Sequence, residues 1–161
     1  MEPDPNLGRE DVLTMLGASP ERVRDYVLGL DENRLDYRHG PAFPTLKEVV
    51  VHVCDAGTAA DAALRHACLD GATEVAARAA LETTAEPDVS VAADARLEDL
   101  SRVRRRTVDL LRGLTDQQWG QRFTDDLLGE IDILDFCRLI AAHEMGHLSQ
   151  VRNLIALLPE P

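Results

Sequence analysis

Residues 133–150 read ILDFCRLIAAHEMGHLSQ, and their periodicity decides the architecture. Phe136, Ile140, His143, His147, Val151 and Leu154 recur at spacings of three and four, the repeat of one helix face. Asp132 is placed to cap this helix, and the pattern carries it to about Leu158. Both histidines fall in line with the apolar residues, so the face that enters a core brings two imidazoles with it.

Moving toward the N-terminus, residues from about Ala92 to Leu114 form another amphipathic helix, lined by Leu97, Leu100, Val103, Leu110, Leu111 and Leu114. Thr115 to Trp119 reads as one capped turn, with Trp119 packing over a helix end, and a polar loop runs from there to Ile131. Thr45-Leu46-Lys47-Glu48 has the form of a capping box. The helix it opens runs to about Leu69, with Gly71 suited to its end. Its inner stripe is Val49, His52, Val53, Ala56, Ala60 and Ala63. The first helical pattern spans about Glu10 to Leu30, and Ser19-Pro20 predicts a kink or two helices in tandem. Residues 37–44 form a Gly/Pro-rich loop. Ala72 to Leu81 is compatible with a short helix, and Thr83 to Ser90 with a loop. Four long helices with no strand pattern predict an all-α four-helix bundle in one domain over 1–161. Gly57 and Gly146 are read as points of close helix approach.

Composition narrows the function classes. The formal net charge is −12, which disfavours nucleic acid and anionic membrane surfaces as partners. Cys54, Cys68 and Cys137 are odd in number and widely spaced, as suits a reducing compartment. Cys54 and Cys137, near the histidine stripes, are read as small core hydrophobes rather than ligands. The acidic start, MEPDPNLGRED, has no apolar run of the signal-peptide kind, and nothing reaches the ~20 apolar residues of a membrane span. These features predict a soluble cytoplasmic protein. Arg102-Val103-Arg104-Arg105-Arg106 could hold the carboxylates of an anionic cofactor, but a solvated face balancing many acids is the better reading.

The chemistry lies in the histidines. Residues four apart stack on one helix face about 6 Å apart along the axis, so two imidazoles can converge on one ion. His52, on the inner stripe of another helix, is the candidate third ligand. A single core histidine is ordinarily a satisfied polar residue. Three aimed at one core stand either for three separate hydrogen-bonding solutions or for one shared ion. His39, in the Gly/Pro loop, and His66, beside Arg65, are read as surface residues.

His143-Glu144-Met145-Gly146-His147 also spells the zinc-peptidase pattern, with Glu144 as candidate general base. The extended form of that motif needs Gly where Gln150 stands, and a further histidine. The only carboxylate after His147 is Glu160. Glu144 lies ~100° round the helix from His143, which predicts a flank position with a supporting or solvent role.

Three blocks together resemble the DinB/YfiT-like bundles, a family that includes bacillithiol- and mycothiol-dependent S-transferases. They are residues 44–55 (PTLKEVVVHVCD), 110–119 (LLRGLTDQQW) and 133–150. The resemblance implies a bundle of up-down-down-up order and a homodimer. It implies a zinc- or nickel-type divalent site at His52, His143 and His147. It also implies a metal-dependent transfer of a low-molecular-weight thiol to a small-molecule substrate. A zinc hydrolase and a non-enzymatic, stress-related binding bundle are the alternatives.

Overall fold

The computed structural model describes residues 2–82 and 87–159. Its elements in chain order are α1 (Arg9–Val27), α2 (Glu32–Leu35), α3 (Leu46–Asp70), α4 (Ala77–Leu81), α5 (Ala93–Arg112), α6 (Asp116–Trp119), β1 (Arg122–Asp125), β2 (Gly129–Asp132) and α7 (Ile133–Ile155). Residues 83–86, part of the expected 83–90 loop, and Glu160 lie outside the described residues.

The helix boundaries follow their local chemistry. Thr45 accepts the Glu48 N–H and Glu48 accepts the Thr45 N–H, closing the capping box of α3. Gly71 ends α3 in the left-handed region at φ 63°. Asp132 caps α7 by accepting the Asp135 N–H. Ser19-Pro20 does not divide the first helix: α1 is continuous, with both residues buried inside it. Proline removes one rung of the helix ladder, and burial of Leu16, Val23 and Val27 along the same helix offsets that loss.

The packing defines the order of the bundle. Both α1 and α3 pack against α5 and α7. Arg9 pairs with Asp116 just beyond the end of α5, and Gly17 faces Val108, so α1 and α5 run antiparallel. Asp55 pairs with Arg96 and Gly57 abuts Leu100 and Arg104, so α3 and α5 run parallel. His52 meets His147 while Gly57 faces Glu144, which makes α3 and α7 antiparallel. The result is the expected up-down-down-up four-helix bundle. Parallel neighbours need a connection that returns along the bundle; residues 71–92 supply it.

That crossover accounts for two departures from expectation. A two-stranded antiparallel hairpin, β1 with β2, occupies part of the predicted polar loop, with Phe123 opposite Ile131 and both facing inward. The short helix begins at Ala77 rather than Ala72, because the preceding residues pair with the hairpin. Val75 N–H donates to the Thr124 carbonyl at 3.0 Å, and Thr124 N–H to that of Thr73 at 2.8 Å. Asp125, 2% exposed, accepts the Arg78, Leu127 and Leu128 N–H groups at 2.9 Å each and locks hairpin to crossover.

The apolar interior divides into two clusters, one around Leu16, Leu64, Leu111, Phe136 and Ile140, the other around Val23, Val50, Leu97, Leu148 and Val151. Along each long helix the switch between clusters falls at a polar or small residue: Ser19, Gly57, Arg104 and Glu144. Arg104 and Glu144 are 1% and 4% exposed and form an ion pair. The bundle therefore has a charged waist.

Candidate metal centre

His52 projects from α3, and His143 and His147 from α7, into one space. One ring nitrogen from each lies within 4.8 Å of the others. Ring centroids are 5.4 Å apart for His52–His143, 4.6 Å for His52–His147 and 4.5 Å for His143–His147. The Nε2 atoms of His143 and His147 stand 3.1 Å apart. Two nitrogens bound tetrahedrally at ~2.0–2.1 Å would be about 3.3 Å apart. His147 Nδ1 lies 2.9 Å from Gln150 Oε1, so this nitrogen donates and Nε2 turns its lone pair to the cluster.

The electrostatics favour neutral imidazoles. Burial, then the neighbouring His147 and His52, pushes the His143 pKa down to about 3. Burial also lowers His52 and His147. Three half-buried neutral nitrogen donors that repel one another's protons could hold a divalent cation, and three protein ligands would leave such an ion at least one position for a small molecule. Gathering them is a matter of register. His52 is seven residues into α3, His143 and His147 near the middle of α7, and the antiparallel packing of those helices brings them level.

The cluster opens into a cavity of about 430 Å3, whose lining includes His52, His147, Gln150, Val49 and the loop residues Arg38, Phe43 and Pro44. Arg38 donates to the Phe43 carbonyl at 2.7 Å and to Glu48 Oε1 at 2.5 Å. A groove of about 500 Å3 between α1 and α7, lined by Arg22, Tyr26, Met145, Leu148 and Arg152 among others, includes none of the histidines.

Glu144 departs from expectation. It is buried at the waist and accepts from Arg104 Nη2, rather than standing at a flank. Gly57 makes room for this pair: a Cβ there would lie 2.7 Å from Leu100 Cδ1 and 3.2 Å from Arg104 Nη2. Arg104 is thus not part of a solvated face, whereas Arg102, Arg105 and Arg106 are exposed and Arg102 pairs with Asp99. Gly146 has open space where a Cβ would go, so only Gly57 is a point of close approach. His39 and His66 are exposed, as expected, and His66 contacts Asp70. The three cysteines are buried; burial raises the Cys54 and Cys68 thiols to about 12 and about 11, and raises Cys137 as well. Trp119 is buried beside the start of α1, with the Arg9 guanidinium 5.3 Å from its ring centre.

Arg38 and Phe43 escaped notice in the sequence, where only the Gly/Pro loop was visible. Asp61, buried near Arg104, was also missed; its sole signal was an acid on the apolar side of α3.

Fold and histidines together define a four-helix bundle with a candidate three-histidine divalent-metal centre. The DinB superfamily model matches residues 15–151, and the chain belongs to that family. A protein of Oceanobacillus iheyensis named "Putative metal-dependent hydrolase OB0413" is 24% identical over 131 residues, covering 81% of this chain and 76% of its own. The structure of YfiT from Bacillus subtilis, described as "a probable metal-dependent hydrolase with an unusual four-helix bundle topology", superposes with a TM-score of 0.78. It is 21% identical, over 97% of this chain and 92% of its own. TT2238, described as a four-helix bundle protein, gives 0.63 at 19% identity, over 91% and 99%. Both structural likenesses bear on the fold. Among the described residues, no helix is long and apolar enough to cross a membrane.

Proposed function

We propose that this chain is a divalent-metal-dependent enzyme that transfers a low-molecular-weight thiol to an electrophilic small molecule. The observation that carries the reading is the convergence of three neutral imidazoles on one another, two of them, His52 and His147, lining a cavity whose carboxylate is already committed. Glu48 spends one oxygen on Arg38 and the other on the Thr45 N–H. Glu144, the peptidase-motif base, is held by Arg104. A zinc or nickel ion at His52, His143 and His147 would lower the pKa of a bound thiol or water, supplying a nucleophile near neutral pH. A thiol activated in that way needs no separate protein base, which suits this lining. Its proton would leave to solvent through the open cavity, and the sulfur would form the new C–S bond as the leaving group departs with its electron pair. Gln150 contributes by fixing the tautomer and tilt of His147.

A hydrolase using water as nucleophile is the second reading, favoured by the descriptions of the Oceanobacillus protein and YfiT. One assay separates the two. The metal-loaded protein is given a chlorinated nitroaromatic with each of several thiols, and an activated ester without thiol. The transferase reading expects turnover only when thiol and metal are both present. Thiol-independent ester cleavage, with no thiol transfer above background, overturns it in favour of the hydrolase; ligand binding without either turnover favours a non-enzymatic bundle.

Elemental analysis of His52→Ala, His143→Ala and His147→Ala proteins tests the site itself. Each should lose most of its metal, and full stoichiometry in all three would refute the assignment. We also propose, from the family resemblance, that the chain acts as a homodimer. Sedimentation equilibrium should then give twice the 17.7 kDa chain mass, and a monomer would contradict it.

A further inference from the structure

We propose that Phe43 is a specificity-determining residue, and that the site selects ligands carrying a flat, uncharged aromatic group beside the atom that meets the metal. This rests on the three histidines holding an ion. The chain has only three Phe, two Tyr and one Trp. Trp119, Phe123 and Phe136 are spent on the core, whereas Phe43 stays 41% exposed in the wall of the histidine cavity. A stray surface ring would be unremarked, but this one is held in place. The Phe43 N–H donates to the Gly40 carbonyl at 3.0 Å, and its own carbonyl accepts from Arg38. The His39 ring meets it edge-on, 5.3 Å between centroids at 88°. Fixing a ring before a ligand arrives removes part of the ordering cost of binding it.

The polar groups of the wall say what the ligand lacks. Both outer nitrogens of Arg38 are engaged, one on the Phe43 carbonyl and one on Glu48, and the second Glu48 oxygen takes the Thr45 N–H. Arg38 and Glu48 cancel in charge. Apart from the histidines and the amide of Gln150, what the wall offers is Phe43, Pro41, Pro44 and Val49. An aromatic face on that surface gains stacking and apolar burial; a carboxylate there would meet a guanidinium whose charge Glu48 already balances.

The test reads binding rather than turnover. The protein is loaded with cobalt, and its visible absorption is titrated with imidazole and with 4-phenylimidazole, which share the ligating ring. The wild type should bind the phenyl compound more tightly, on the order of tenfold. Phe43→Ala should remove most of that preference while leaving imidazole affinity and cobalt stoichiometry unchanged; Phe43→Tyr should restore it. Equal affinity for the two compounds in the wild type, or an unchanged preference in Phe43→Ala, overturns the proposal with the metal site intact. A cobalt spectrum that responds to neither compound overturns the open-site reading and this proposal together.

Discussion

Asp61 and Asp125 are both buried, yet their carboxyls shift in opposite directions. At Asp125 burial alone would raise the pKa, but backbone N–H groups, those of Arg78, Leu127 and Leu128 among them, prevail and hold it below the usual range. A depressed acid contributes stability above its unfolded pKa and loses it as pH falls through its folded value. Asp125→Asn should therefore cost about 2–3 kcal/mol in urea unfolding at pH 7, with the deficit shrinking below pH ~3.9 as the wild-type carboxylate is protonated. A deficit independent of pH would mean that shape, not charge, ties hairpin to crossover. At Asp61 burial prevails over Arg104 and Arg65 and lifts the pKa to about 6, and Oδ1 has no hydrogen-bond partner. Arg104 is already paired with Glu144, so with Arg65 it compensates ionised Asp61 only in part. Its folded form binds the proton more tightly, and stability is lost as pH rises from about 4 to about 6. Asp61→Asn should thus stabilise the protein at pH 7 by about 2 kcal/mol and change little at pH 4. A loss at pH 7 would show that the carboxylate supports Arg104 more than it costs.

At the scale of elements, the waist joins three helices through one glycine. Replacing a mid-helix glycine by alanine ordinarily gains ~1 kcal/mol. At Gly57 the new methyl meets Leu100, which is fully buried, and Arg104, which is held by Glu144. Overpacking of ~1–3 kcal/mol should outweigh the gain, so Gly57→Ala lowers Tm. Gly146→Ala, on the same bundle but facing open space, should raise it. If both variants gain stability, α3 is not held against the ion pair. The elements also differ in how readable they were. The four long helices showed through because each repeats an apolar stripe over five or more turns. The hairpin was hidden because its inward positions are Phe123, Ile131 and the carboxylate of Asp125, and an acid that faces inward looks like loop polarity. Glu144 was misplaced for a similar reason: its angular position was right, but nothing on α7 reveals that Arg104 of α5 waits there. His52, His143 and His147 were legible because each breaks an apolar stripe, whereas Phe43 acquires meaning only once the loop lies beside them.

Over the whole molecule, the candidate centre should also act as a clasp. His52 comes from α3 and His143 and His147 from α7, helices separated by the entire crossover and hairpin. An ion held by all three exists only where those helices are in register, so it binds the folded chain in preference to the unfolded one. Binding of that kind stabilises by mass action, about 2.7 kcal/mol when free metal is a hundredfold above Kd. For a chain of this length each kcal/mol moves Tm by roughly 2–4 °C, so chelation should lower Tm by roughly 5–10 °C. The bundle should nonetheless stay folded, because its two apolar clusters are complete without the ion. Calorimetric scans of the metal-loaded and chelated protein, beside a His52→Ala/His143→Ala/His147→Ala variant, check both halves of the expectation. The wild type should show the metal-dependent gain and the variant should show none. A gain that survives in the variant would place the ion elsewhere. Loss of helical circular dichroism on chelation would make the metal a structural requirement, against a role reserved for chemistry.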